Sequence, residues 1–242
     1  MDALTMDESI DEAIRLIETR QSAQHVVVNA AKLVAAVADD DLRAIIDGCS
    51  IVNADGQAVV WASRLLGCPL PERVTGIDFM NRLVDVAAQR GYGIFLLGAE
   101  PDVLAAVEEE FVRRGASVVG RADGFWRRHL TDKELVNEIA QLQPDILFVA
   151  LPSPMKENFL AENLRQIPTG LCVGVGGSFD VIAGRTQRAP AWMQRSGIEW
   201  FFRLVQEPRR MFKRYLVGNT KFIYYVLREW TSQQAVRRRD HS

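Results

Sequence analysis

The feature that most limits the fold of this chain is an alternation. Short apolar runs give way to stretches of helical spacing, again and again, along most of its length. Apolar or β-branched runs occupy residues 25–29, 50–53, 92–97, 116–119, 145–150 and 170–175. Apolar residues at helical spacing occupy 9–20, 30–38, 41–47, 57–66 and 77–89, and a further helix follows Pro101 to residue 114. Thr131 and Glu134 form a capping box that opens a helix to Leu142, and Pro154 opens another to about residue 165. Runs that are apolar at every position are strands buried on both faces. Strand and helix alternating in this way predict an α/β, Rossmann-like parallel sheet with helices on both faces.

After Pro190 the pattern changes. From Trp192 onward the chain is helical, basic and aromatic, with no further strand expected. The reading is an α/β domain over residues 1–195 and a C-terminal helical appendage over 196–242. Charge marks the same division. Residues 203–242 hold ten Lys and Arg against three acids, a net +7, which leaves −9 on the first 202 residues of a chain whose total is −2. A basic segment on an acidic body points to a polyanionic partner. Arg203, Arg209, Arg210, Lys213, Arg214 and Lys221 are interleaved with Trp200, Phe201, Phe202, Phe212, Tyr215, Phe222, Tyr224 and Tyr225. That mixture suits an interfacial helix on anionic lipid and also a single-stranded nucleic-acid platform. So much aromatic surface on a short appendage favours the membrane, and no nucleic-acid partner is expected.

Several classes are excluded or disfavoured. No apolar run approaches the roughly 18 residues of a spanning helix. Asp2, Asp7, Glu8, Asp11 and Glu12 give the start of the chain the opposite charge to a signal peptide. Cys49, Cys68 and Cys172 are scattered and odd in number, which argues for a reducing compartment and against a disulfide framework. His25, His129 and His241 lack metal-ligand spacing, and no metal or other cofactor is expected.

In an open parallel sheet, ligands bind beyond the carboxyl ends of the strands. That rule selects Asn29, Asn53 to Gly56, Gly98 to Pro101, Gly120 to Gly124, Leu151 to Pro154 and Gly174 to Asp180. Gly98 opens a strand-to-helix turn that could seat a phosphate, or that is simply a tight turn before Pro101. Gly174, Gly176 and Gly177 form a loop through which backbone amides can approach a diphosphate; the alternative is a flexible connection. Asp55 could act as a general base, hold a cation, or only make an Asp-Gly turn. Asp180 could bind substrate or cap a helix.

The stretches Asn53-Ala54-Asp55-Gly56, Pro71-Glu72-Arg73-Val74-Thr75-Gly76-Ile77-Asp78, Phe95-Leu96-Leu97-Gly98-Ala99 and Asp123-Gly124-Phe125 resemble the WecG/TagA/CpsF glycosyltransferases. So do Val173 to Asp180, Arg188-Ala189-Pro190 and Gly197 to Arg210, in the family's order over about residues 23–225. The resemblance implies an inverting, metal-independent transfer from a UDP-sugar to a polyprenol-diphosphate-linked saccharide. The setting it implies is the inner face of the cytoplasmic membrane, in surface-polymer synthesis. It assigns the base to Asp55 and places site-completing arginines in the appendage, where Arg203, Arg209, Arg210 and Arg214 lie in the matching region. Asn29, Asn53, Gly98, Lys156, Gly176, Gly177 and Asp180 become candidate substrate contacts. Two positions depart from the family pattern. Lys156 stands where many members have Gln, and Val27 where many have Thr. An ammonium at 156 could meet a phosphate or a carboxylated sugar, or pair with Glu157 or Glu162. Self-association is left open.

Two rival functions are weighed against this one. A Rossmann-type oxidoreductase needs a G-x-G-x-x-G opening and an acidic residue about 20 positions later, neither of which is present in order. A non-catalytic membrane adaptor explains the basic appendage but not the polar and glycine-rich strand ends.

Overall fold

The computed structural model describes residues 1–206 and 208–239; within these, the side chains of 195, 203, 209–217 and 236–239 lie outside the description. In chain order the elements are α1 (Met6–Thr19), β1 (Ala23–Val28), α2 (Ala30–Ala38), α3 (Asp40–Asp47), β2 (Ile51–Ala54), α4 (Gln57–Leu65), α5 (Gly76–Arg90) and β3 (Gly93–Gly98). There follow α6 (Pro101–Arg113), β4 (Ser117–Ala122), α7 (Asp132–Leu142), β5 (Ile146–Ala150), α8 (Met155–Asn163), β6 (Leu171–Gly174) and α9 (Ser178–Ile182). The chain continues through α10 (Ala191–Arg195), α11 (Glu199–Gln206) and α12 (Pro208–Arg239). The expected strands and helices are all present, displaced at their ends by a few residues. Thr131 and Glu134 form the expected capping box at α7, and Thr5 and Glu8 form another at α1.

The six strands make one parallel sheet in the order β2-β1-β6-β5-β3-β4. Side chains alternate across it. Ile94, Leu96, Ile146, Phe148, Leu171 and Val173 meet α1, α5 and α6 on one face. Phe95, Leu97, Leu147, Val149 and Cys172 meet α7 and α8 on the other, where Val26, Val28 and Val52 also meet α2 and α3. β5 is buried along its whole length. Truncating Leu147 to Ala there costs about 2–5 kcal/mol.

No strand follows β6 among the described residues, and the helical C-terminal segment is seated on the body. Gly197 turns into α11 with φ +73°, and a Cβ there would lie 2.8 Å from Gln57 at the start of α4. Phe222 of α12 is buried in a cluster with Ala54, Val59, Val60 and Leu70. Gly218 passes over Ala31 of α2, where a Cβ would lie 3.8 Å from that of Ala31. Appendage and body are therefore joined beside the end of β2. Trp192, Trp200, Phe201, Val205, Ile223, Tyr224 and Leu227 remain exposed on α10 to α12.

Candidate active site

β1 and β2 pair in register up to Val28 and Ala54, so the residues that follow them leave the sheet side by side. The ladder extends one step further: the Asp55 amide donates to the Val28 carbonyl at 2.9 Å. Asn29 is the next residue on β1. Its Oδ1 accepts from the Lys32 amide at 3.0 Å and caps α2, which fixes the side chain at the strand end. A Cβ on Gly56 would lie 3.8 Å from the Asn29 Cβ. Asp55 and Asn29, separated in sequence, thus share one partly exposed edge.

A second polar group stands on the same edge. The Val74 amide donates to the carbonyl of Ala54 at 3.0 Å, bringing the 71–78 segment against the end of β2. Thr75 then caps α5. Its hydroxyl donates to Asp78 Oδ2 at 2.6 Å, and Arg188 Nη2 donates to the same oxygen at 2.6 Å. Partial burial alone would raise the Asp78 carboxyl; Arg188 and Thr75 reverse this and hold it below the usual carboxylate range. Nε of Arg188 is buried without a hydrogen-bond partner among the described residues. Arg73 pairs with Glu199 at 3.1 Å, both largely buried, and ties this segment to α11. Arg73, Asp78 and Arg188 carry no role in the reading of the sequence; the motifs that contain them are the only signal.

β6 lies between β1 and β5 and ends at Gly174. From β1, α2 brings Lys32; from β5, α8 brings Lys156 and Glu157. Lys32 Nζ donates to Glu157 Oε1 at 2.8 Å, and Lys156 Nζ lies 3.3 Å from the same oxygen. Lys156 therefore pairs with Glu157, and it does so next to the glycine loop. Its Cε would lie 2.9 Å from a Cβ on Gly174, and its Nζ 3.8 Å from one on Gly176. Burial by itself would raise the Glu157 carboxyl; the two ammonium groups outweigh that and lower it. Gly176 takes a left-handed φ of +53°, and Asp180 Oδ2 lies 3.7 Å from where a Gly177 Cβ would be.

Two candidates are placed differently. Asn53 is buried, with its Oδ1 3.0 Å from His25 Nε2 and its Nδ2 donating to Ser9 Oγ at 3.0 Å, so its amide serves the core beneath the edge. His25 also stacks on Phe79, with ring centroids 4.0 Å apart. Gly98 ends β3, away from β1 and β2 in the sheet, and pairs with Ala150 of β5. A Cβ there would come within 2.6 Å of the Ala150 carbonyl oxygen, so close backbone approach accounts for this glycine. The turn after it is flanked by Glu100 and Asp102, both paired with Arg185. The side chains of Arg203, Arg210 and Arg214 lie outside the described residues.

Among the described residues no helix is long and apolar enough to cross a membrane, and no cluster of three His, Cys, Asp or Glu could hold a metal ion. What the edge offers is a carboxylate at Asp55, cations at Arg188, Lys32 and Lys156, and a glycine loop. That set can take a proton from a hydroxyl and receive an anionic leaving group.

Comparison with known proteins agrees with this chemistry. The family model described as "Glycosyl transferase WecG/TagA/CpsF family" matches residues 1–236. A Bacillus subtilis strain 168 protein named N-acetylglucosaminyldiphosphoundecaprenol N-acetyl-beta-D-mannosaminyltransferase is 35% identical over 216 residues, covering 88% of this chain and 82% of that protein. A protein of the same name from Bacillus spizizenii strain W23 is 34% identical over 188 residues, 77% of this chain and 71% of its own. With the sheet, the carboxylate edge and the family model in agreement over nearly the whole sequence, the chain belongs to the WecG/TagA/CpsF family of glycosyltransferases.

Proposed function

We propose that the chain transfers an N-acetylhexosamine or hexose from a UDP-sugar to a polyprenol-diphosphate-linked saccharide, with inversion and without a metal ion, in synthesis of a surface polymer. The observation that carries the reading is the shared edge of Asp55 and Asn29, set by the Asp55–Val28 backbone bond at 2.9 Å. Asp55 takes the proton of the acceptor hydroxyl as that oxygen attacks the anomeric carbon. The UDP leaves from the opposite face of the sugar and gathers negative charge. Cationic side chains answer it: Arg188 and Lys156 on the body, and Arg203, Arg210 and Arg214 from the appendage over residues 196–242. Asn29 and the loop of Gly176, Gly177 and Asp180 complete the donor seat. Exposed aromatics on α10 to α12 and the basic excess support peripheral attachment to the cytoplasmic face of the membrane. The relatives' names make N-acetylmannosamine the first sugar to test and N-acetylglucosaminyldiphosphoundecaprenol the first acceptor.

The test is incubation of the full chain with a panel of UDP-sugars and a short-chain lipid-diphosphate acceptor, with and without EDTA. The donor that yields product identifies the sugar, product mass confirms the transfer, and the one-bond C1–H1 coupling gives the anomeric configuration. A retained anomeric configuration, or activity that disappears with EDTA and returns with metal, overturns the corresponding part of the reading.

A further inference from the structure

Asn53 is buried near the end of β2 and is held on both sides by side chains. Its Oδ1 lies 3.0 Å from His25 Nε2 of β1, and its Nδ2 donates to Ser9 Oγ of α1 at 3.0 Å. An amide oxygen only accepts, so the His25 ring carries a hydrogen on Nε2 and donates it. Ser9, His25 and Asn53 are 0%, 0% and 1% exposed, deep among the apolar residues of α1, α5 and the sheet. Such a trio brings little net stability, because apolar groups of the same shape would fill the space as well. The second ring nitrogen, Nδ1, is buried without a hydrogen-bond partner among the described residues, which adds a cost. What hydrogen bonds add to a packed core is direction.

The direction set here is that of the catalytic edge. The outer side of β2 is closed by Asp2, whose amide donates to the Val52 carbonyl at 2.9 Å and whose Oδ2 accepts from the Val52 amide at 2.7 Å. The Ala54 carbonyl takes the Val74 amide, and the Asp55 amide takes the Val28 carbonyl. Asn53, between them, is held from within the core by its own side chain. By the two-residue period of a strand, Asn53 and Asp55 fall on one face, about 6.6 Å apart along the chain. The buried amide is therefore the foot on which the Asp55 turn stands.

We propose that Ser9, Asn53 and His25 are positioning residues for Asp55. The imidazole and the serine hydroxyl fix the Asn53 amide, and Asn53 fixes the strand end that presents the carboxylate. The proposal rests on the role of Asp55 as base in the function proposed above.

Two substitutions in the full chain separate the hydrogen bond from the packing. His25→Phe keeps an aromatic ring against Phe79, where the centroids are now 4.0 Å apart, and removes the donor. His25→Gln keeps an N–H donor and removes the ring. Ser9→Ala removes the support on the α1 side. The measurements are turnover with a UDP-sugar and a short-chain lipid-diphosphate acceptor, UDP affinity, melting temperature, and hydrogen exchange at the amides of Ala54 and Asp55. Exchange is read relative to the β5 amides, which report global opening. Turnover should follow the donor. His25→Phe should lose roughly 10- to 100-fold, the scale set by a small misplacement of a reacting group. His25→Gln should stay within a few-fold of the wild type, even though loss of the ring makes it the less stable of the two. UDP affinity should hold in both. Exchange at Ala54 and Asp55 should quicken in His25→Phe and Ser9→Ala and not in His25→Gln. In an Asp55→Asn background, His25→Phe should lower the residual turnover no further, because the group being positioned is gone. Turnover that falls in step with melting temperature, or losses that add to that of Asp55→Asn, show a merely structural role and overturn the proposal. Normal turnover by His25→Phe overturns it as well. If the wild type transfers no sugar while exchange at Ala54 and Asp55 still follows the donor, the foot stands and the role of Asp55 as base falls. If neither is seen, both fail.

Discussion

Asp55 donates its backbone amide to the carbonyl of Val28 at 2.9 Å, one step past the last paired residues of β1 and β2. The bond fixes the backbone of Asp55 while its side chain is at the partly exposed edge. A substitution that keeps the shape of the side chain should therefore keep the structure. Asp55→Asn is expected to lower transfer by about 100-fold or more, since it removes the proton acceptor, and to leave UDP affinity within a few-fold. Steady-state turnover together with a UDP titration checks this. Near-normal turnover removes Asp55 from the role of base.

The joint between body and appendage can be loosened at one atom. Gly197 has φ +73° and no room for a Cβ, with Gln57 2.8 Å away, and Gln57 follows Asp55 and Gly56 directly. Gly91 has a nearly identical φ of +74° and open space around it. Gly91→Ala should cost about 1–2 kcal/mol for the left-handed backbone alone and leave activity intact. Gly197→Ala adds a steric term of about 1–3 kcal/mol and should lower turnover as well. Melting curves and activity for the pair make the comparison. Equal effects would show that the Gly197 contact does not hold the catalytic edge.

His25 makes stability depend on pH. Burial drives its imidazole down to about 4 from an ordinary 6.5; the bond to Asn53 pulls it up and nearby Lys32 pushes it further down. The folded chain therefore keeps a neutral ring at pH values where the unfolded chain already binds a proton. Its contribution to stability is complete above pH 6.5 and is lost as pH falls from there toward 4. Up to about 2 kcal/mol should disappear between about pH 6.5 and 5. Glu157, whose carboxyl is lowered from 4.5, adds its own loss only at more acid pH. Urea melts across this range should show the slope in the wild type and not in His25→Phe. A flat wild-type profile contradicts a buried neutral ring.

The alternation of apolar runs and helical stretches made the fold legible, because strands such as β5, buried on both faces, carry no polar residue to disguise them. Strand order was not legible, since nothing local places β6 between β1 and β5. Asp55 and Asn29 were legible as polar residues just past apolar strands. Asn53 has the same signature but belongs to the core. His25 faces Ile51 across the ladder, and Asn53 lies two residues further along, so the two form a diagonal pair that only the register reveals. Lys32 and Glu157 are 125 residues apart, and no spacing rule joins them. Arg73 and Glu199, 126 apart, escape for the same reason.

Under the proposed function the basic C-terminal segment is expected to hold lipid and to meet a diphosphate, with different residues for each. Deleting residues from 203 onward does not separate the tasks. It would also remove Phe222 from the cluster with Ala54 and Val59, next to Asp55, and disturb the edge from behind. Single substitutions avoid this. Arg228 is exposed on α12, where it lies over the Tyr225 ring at 5.7 Å and near exposed Tyr224 and Leu227. Arg228→Glu should weaken binding to vesicles containing anionic lipid at low salt, at roughly 1 kcal/mol for each unit of charge changed, and the difference should fade as salt rises. Its activity on a soluble short-chain acceptor should be unchanged. Arg210 and Arg214 are four residues apart in the sequence and are the proposed diphosphate contacts. Arg210→Ala and Arg214→Ala should leave vesicle binding within a few-fold and remove most turnover on the same soluble acceptor. Vesicle sedimentation and turnover, measured on all three variants, give a two-by-two result. If Arg228→Glu also abolishes soluble turnover, or if both alanine variants retain it, the division of labour along α12 is wrong and the appendage acts only as an anchor or only as a structural brace.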